Sequence, residues 1–215
     1  IKVGFNNLVL EVIKKNIDKK YLIGRVKVSG YLESNKAVHF TQNINLPALT
    51  EKDKFAIKHA IANGIKYYAM SFVNKKKDVD QMKTLIGKRS FLISKIETKS
   101  ALKNLSGISS KSNALLIDRG DLSRYVPIEE IPLAQERIIK HSLKRKVPVF
   151  VATNLLETMV NEIQPTRAES HDIFSTLRQG ASGLVLAAET AIGKNPVECV
   201  MFMKKAIKFY KSSKN

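Results

Sequence analysis

From residue 8 to residue 47 apolar and polar positions alternate in the manner of strands. The runs are Leu8-Val9-Leu10-Glu11-Val12-Ile13 and Tyr21-Leu22-Ile23-Gly24-Arg25-Val26-Lys27-Val28, with a turn at Asn16-Ile17-Asp18 between them. A side-chain period of two sends neighbours to opposite faces of a sheet, so this stretch predicts a small antiparallel β unit. At Thr50 the pattern changes to helix followed by buried strand, repeated five times. The first helix opens on Thr50 with Asp53 three positions on, a capping signature, and stops at Asn63-Gly64. The apolar runs are Tyr67 to Phe72, Phe91 to Ile96, Ala114 to Ile117, Val147 to Ala152 and Gly183 to Ala188, and a last helix covers Asn195 to Tyr210. Such strands alternating with amphipathic helices predict an α/β fold with a parallel sheet covered on both faces. The change of period divides the chain into a β domain over 1–47 and a second domain over 48–215.

Five βα units suit either an open doubly wound sheet or part of an eight-stranded barrel, and spacing alone does not decide. Polar residues where the apolar strands stop favour the barrel, in which active sites form at the carboxyl ends of the strands. No glycine-rich phosphate loop follows any strand, and Gly193-Lys194 reads as a turn. His39, His59, His141 and His171 lack metal-ligand spacing.

In Phe91-Leu92-Ile93-Ser94-Lys95-Ile96-Glu97, alternation puts Ile93, Lys95 and Glu97 on one face. The other reading is an edge strand with a surface ion pair, against which the apolar run before Lys95 argues. On the next strand Leu116, Asp118 and Gly120 share a face, and the chain then turns to present Asp121. Glu97 and Asp121 thereby converge from adjacent strands, two carboxylates of the kind Mg²⁺ or Mn²⁺ prefers when it also holds a substrate's oxygens. Lys95 beside them supplies positive charge for a phosphoryl group or an enolate. Thr153, closing Val149-Phe150-Val151-Ala152, offers a hydroxyl for hydrogen bonding or proton relay.

Composition narrows the partners. The chain has 215 residues, 44% of them hydrophobic, enough for a real core. Its longest apolar stretches fall well short of the roughly 20 residues that span a bilayer, so no membrane association is expected. The single Cys199 cannot form an internal disulfide, which fits the cytoplasm. The start at Ile1 reads as an internal one. A net charge of +18 is the footprint of a nucleic-acid binder. The excess is mostly lysine in short clusters such as Lys75-Lys76-Lys77 and Lys144-Arg145-Lys146, without interleaved aromatics, so a solvated basic surface is expected instead.

The ordered motifs now identify a resemblance. Ile93-Ser94-Lys95-Ile96-Glu97, Arg119-Gly120-Asp121-Leu122, Leu133-Ala134-Gln135, Ala152-Thr153 with Leu156-Glu157-Thr158-Met159, Pro165-Thr166-Arg167-Ala168-Glu169 and Glu189-Thr190-Ala191 follow one another as in pyruvate kinases. Asn45-Leu46-Pro47 with Thr50-Glu51-Lys52-Asp53 does the same. The chain resembles that family from about Gly30 to Tyr210. The resemblance implies a partial TIM (β/α)₈ barrel, its fourth to eighth βα units, preceded by the second half of a small antiparallel β lid. It implies that Glu97 and Asp121 bind Mg²⁺ or Mn²⁺, that Lys95 contacts the transferring phosphoryl group, and that Arg119, Gly120, Asp121 and Thr153 form the substrate-binding segment, in which backbone at Gly120 and Asp121 joins Thr153 in holding the carboxylate of phosphoenolpyruvate or pyruvate. A nucleotide as the second substrate and a homo-oligomer are implied as well. The family's K⁺ site and part of its nucleotide site belong to barrel units not in this chain.

Departures from the family pattern mark a divergent member. Asp118 stands where a small Ala is usual, and alternation turns it toward the site. It reads as a catalytic base, a further metal ligand or a charge that repels the usual anionic substrate; the plainer reading is an Asp capping a turn. Asn154 replaces Gln, Ala187-Ala188 replaces Ser-Gly, Asn74 replaces an Arg, and Ser123-Arg124-Tyr125 replaces a Gly-hydrophobic-Glu run. Thr166 and Glu169 read as a capping box or as ligand contacts, and Met159, Met201 and Met203 as core or interface filler. Besides the phosphotransferase, a metal-dependent lyase or decarboxylase of 2-oxo acids and a non-catalytic scaffold fit the same residues.

Overall fold

The computed structural model describes residues 1–4, 8–32, 34, 38–40 and 46–213, and the chain divides into two compact units, Ile1–Pro47 and Ala48–Asn215. In the first unit, β1 (Lys2–Val3), β2 (Leu8–Asn16), β3 (Tyr21–Val28) and β4 (Val38–His39) form an antiparallel sheet in the order β3-β2-β1-β4. The long β2–β3 ribbon pairs Val9 with Val28 at one end and Asn16 with Tyr21 at the other. It buries little: Val12, Ile13, Ile23 and Val26 are all exposed, and Leu8 and Val3 supply the buried positions of β2 and β1. Strand β2 runs three residues beyond Ile13, so the turn is formed by 17–20, where Lys20 adopts φ 52°. Of the strand-like stretch up to residue 47, positions 33, 35–37 and 41–45, including Asn45, lie outside the described residues.

In the second unit, β5 (Tyr67–Met70), β6 (Phe91–Ile96), β7 (Ala114–Asp118), β8 (Val149–Ala152) and β9 (Gly183–Val185) are all parallel and lie in the order of the sequence. A doubly wound sheet reverses its strand order at a switch point, and this one does not. The five strands form one parallel sheet with β5 and β9 at its edges.

The helices are α1 (Glu51–Ala62), α2 (Lys76–Ile86), α3 (Lys99–Lys103), α4 (Leu105–Ser109), α5 (Arg119–Leu122), α6 (Ile131–Arg145), α7 (Arg167–Gln179), α8 (Ala188–Ala191) and α9 (Pro196–Ser212). Thr50 with Asp53 and Thr166 with Glu169 both form reciprocal capping boxes, which start α1 and α7. Leu92, Ile96, Leu115, Ile117 and Val151 turn one face of the sheet onto helix residues such as Ile108, Ile138 and Ile139, all fully buried. Burying each such side chain stabilises the fold by about 1.5–3 kcal/mol. A second cluster joins Leu156, Met159, Ile173, Cys199, Met203 and Tyr210 between α7 and α9. Of the three methionines read as filler, Met159 and Met203 are in this core while Met201 is half exposed. Among the described residues no helix is long and apolar enough to cross a membrane.

Strand ends differ from the apolar runs where a polar group claims the backbone. Strand β5 stops at Met70 because Phe72 takes φ 51° and gives its N–H to Glu97. Strand β9 stops at Val185 because the Glu189 carboxylate accepts from the Ala187 N–H, 2.7 Å away, and α8 begins at Ala188. Strand β7, by contrast, extends through Asp118.

Candidate active site at the carboxyl ends of the strands

Along β6 the even-numbered side chains Leu92, Ser94 and Ile96 are buried on the helix side, Ser94 by a 2.6 Å bond to the Ser112 hydroxyl. Lys95 is thereby turned to the other face. Its Nζ lies 2.7 Å from Glu97 Oε1, 2.9 Å from Asp118 Oδ2 and 3.4 Å from Ser71 Oγ. Glu97 is fully buried, and its Oε2 accepts the Phe72 N–H at 2.5 Å. Its Oε1 is close to Lys95 but outside hydrogen-bonding geometry, a buried carboxylate oxygen without a hydrogen bond.

Burial pushes the Glu97 carboxyl above the usual carboxylate range; the adjacent Lys95 ammonium and the Phe72 N–H oppose this only in part. For Lys95 burial works against the charge, but its ion pairs with Glu97 and Asp118 outweigh it and hold the ammonium above its ordinary value. Lys95 is therefore a fixed cation.

Asp118 meets both descriptions given above. It faces the site, ion-paired to Lys95, and it also caps α5, its Oδ1 accepting from the Asp121 N–H at 3.3 Å. The Thr153 hydroxyl lies 3.4 Å from the same oxygen and accepts the Gly120 N–H at 2.8 Å. A Cβ on Gly120 would fill the space between Thr153 Oγ1 and Asp118 Oδ1, at 3.5 and 3.6 Å. Thr153 has φ 71°, which a β-branched residue seldom adopts, and Asn154 follows at φ 54°. Sustained strain of this kind collects at functional sites.

The residue that holds this turn is Arg119. Its Nη2 and Nε donate to the Thr153 carbonyl at 2.6 and 3.2 Å, and its Nη1 meets Asp172 at 2.7 Å and Gln135 at 3.5 Å. Arg119, expected in the substrate-binding segment, thus lies beside Thr153 with donors directed at the Thr153 carbonyl, Asp172 and Gln135. Asp121 is paired with Arg124 at 3.4 Å, and Asn154 is bonded to Glu157.

Carboxylate oxygens of Glu97, Asp118 and Asp121 lie within 4.8 Å of one another. Three carboxylates against Lys95 and Arg124 leave one negative charge in excess, and Glu97 Oε1 lacks a hydrogen bond. Hard oxygen donors with a surplus negative charge fit a divalent cation such as Mg²⁺ or Mn²⁺.

Sequence reasoning missed several contributors. The Phe72 N–H and the Ser71 hydroxyl act through backbone position, which no residue type signals. Asn74, noted as an Arg replacement, ties loops together: its Oδ1 accepts from Thr98 Oγ1 at 2.6 Å and its carbonyl from Asn104 Nδ2 at 2.8 Å. Glu189 is buried and bonds Leu156 N–H at 3.0 Å, joining the segments after β8 and β9. A carboxylate directly after an apolar run was its signal.

Residues 2–200 match the family described as pyruvate kinase, barrel domain. A pyruvate kinase of Thermotoga maritima is 40% identical over 97% of this chain and 45% of its own length. One of Methanocaldococcus jannaschii is 36% identical over 97% of this chain and 47% of its own. Plastidial pyruvate kinase 3 of Arabidopsis thaliana is 41% identical over 81% of this chain and 31% of its own. The chain thus spans half or less of the length of these relatives, and across nearly all of its own length it belongs to the pyruvate kinase family.

Proposed function

We propose that this chain carries the phosphoryl-transfer centre of a pyruvate-kinase-type phosphotransferase acting on phosphoenolpyruvate and ADP, its parallel sheet being the fourth to eighth units of a barrel and its antiparallel unit part of a lid. The observation that carries the reading is the Lys95 ammonium, 2.7 and 2.9 Å from the carboxylates of Glu97 and Asp118 and beside Asp121. Glu97 and Asp121 are the residues that would hold the divalent cation. A cation held there would supply positive charge to offset the negative charge of the substrate.

The remaining steps belong to the chain's own groups. The N–H groups of Gly120 and Asp121 and the Thr153 hydroxyl receive the substrate carboxylate and orient it. Lys95 offsets charge spreading over the phosphoryl oxygens, with no rearrangement at the moment of transfer because it is already fixed. The P–O bond to the enol oxygen breaks as a P–O bond to the terminal phosphate of ADP forms. The enolate left behind takes a proton at its methylene carbon and becomes pyruvate, with Thr153 a candidate proton relay.

The test is a coupled assay of the full-length protein for ADP-dependent pyruvate formation, with oxaloacetate decarboxylation as the comparison. Pyruvate formation that needs ADP supports the reading; decarboxylation alone moves it to the lyase class. Glu97→Ala with Asp121→Ala is expected to abolish Mn²⁺ binding, and an unchanged Mn²⁺ titration rules out the metal assignment.

A further inference from the structure

We propose that Asp118 is an internal competitor for the substrate's carboxylate, occupying the groups that would receive it and so setting how weakly this chain binds anionic ligands. The inference rests on the phosphotransferase reading for the identity of that anion. Two donors and a hydroxyl face the Asp118 carboxylate: the Lys95 ammonium at 2.9 Å, the Asp121 N–H at 3.3 Å and, at 3.4 Å, the Thr153 hydroxyl, whose nearer acceptor is the Ala152 carbonyl at 2.5 Å. The Asp121 N–H and the Thr153 hydroxyl are groups assigned above to the incoming carboxylate, and Lys95 is the cation assigned to the phosphoryl. Asp118 is 8% exposed and therefore cannot leave its charge in water.

The arrangement explains why a carboxylate is tolerated at this depth. A buried anion persists only where it is paired and hydrogen-bonded. Asp118 achieves this by using the machinery provided for a ligand of the same chemistry. An arriving carboxylate must either displace it or sit within a few ångströms of a second negative charge. The short side chain suits the task. Anchored at the last residue of β7, it reaches the Asp121 N–H one turn on, as an N-cap does, without leaving the site.

Affinity for pyruvate, measured by calorimetry on the full-length protein with Mg²⁺ present, reads the effect. Asp118→Ala is expected to tighten pyruvate binding at least about ten-fold, and to lower KM for phosphoenolpyruvate while KM for ADP stays unchanged. Asp118→Asn keeps an oxygen for the Asp121 N–H but removes the charge, so its affinity should fall between. If Asp118→Ala fails to fold, the Asn variant decides alone. Pyruvate affinity that is unchanged or weaker in the folded variants overturns the proposal, as does loss of Mn²⁺ binding in Asp118→Asn equal to that in Glu97→Ala. Tighter pyruvate binding in a protein that forms no pyruvate from phosphoenolpyruvate supports the competitor role and refutes the phosphotransferase reading. Activity with unchanged pyruvate affinity does the reverse.

Discussion

Replacing Arg119 by Met removes the guanidinium and keeps most of its apolar stem, so the effect isolates what the charge holds in place. In the native chain Nη2 and Nε share the Thr153 carbonyl at 2.6 and 3.2 Å, which counts as one strong charge-assisted interaction. Such an interaction contributes about 1.5–3 kcal/mol. The ion pair to Asp172 is worth less, about 1 kcal/mol at most, because Asp172 is 36% exposed and regains hydration when released. Together they amount to about 2–4 kcal/mol. Holding the β-branched Thr153 at positive φ requires about 1–3 kcal/mol, which the Arg119 contacts suffice to offset. Removing Arg119 should therefore let the turn after β8 relax. The Gly120 amide, bonded to Thr153 Oγ1 at 2.8 Å, reports this directly. Its hydrogen-exchange protection should fall by about 30- to 700-fold, the same free energy expressed as an opening equilibrium. Asp172→Asn, which removes only the exposed partner, should change it by no more than about five-fold. Arg119→Lys should not restore protection, since a point charge cannot fork onto the carbonyl. Protection in Arg119→Met within five-fold of native, or equal to that in Asp172→Asn, would refute the reasoning.

Two further outcomes are expected. Thr153→Val keeps the shape but leaves the half-buried Gly120 N–H without its acceptor, and should lower stability by about 1 kcal/mol in denaturant unfolding, with Thr153→Ser restoring most of it; equal loss in both variants would show that the methyl group matters and the hydroxyl does not. For Glu169, burial opposes the charge, but bonds from the Thr158 and Thr166 N–H groups and the Thr166 hydroxyl outweigh it and hold the carboxyl below its ordinary 4.5. A depressed folded value means stability that is present above about pH 4.5 and lost as pH falls below it. Glu169→Gln should flatten that acid limb, and an unaltered limb would mean that other carboxylates dominate it.

Periodicity alone established much of this protein. Alternation over 8–28 and the switch at Thr50 located the two compact units, and the five apolar runs located the five strands, because a period of two and a period of 3.6 bury different faces. Capping residues marked helix starts at Thr50 and Thr166, where a side-chain oxygen meets its own backbone within three residues. Alternation also turned Lys95 and Asp118 toward one face and brought Glu97 near Asp121. All of these are local rules. What required the tertiary structure was whatever depends on partners distant in sequence. The sequential strand order excluded a doubly wound sheet. A backbone N–H at Phe72, 25 residues from Glu97, orients that carboxylate. Arg119 is held by a carbonyl 34 residues on, at Thr153, and by Asp172 beyond it, which take up its donors. Asp118 shows the division most clearly: its residue type and face were legible, but its double hold on Lys95 and the Asp121 N–H follows only from the folded spacing of β6, β7 and β8, since long-range electrostatics and hydrogen bonding depend on distance in space and not along the chain.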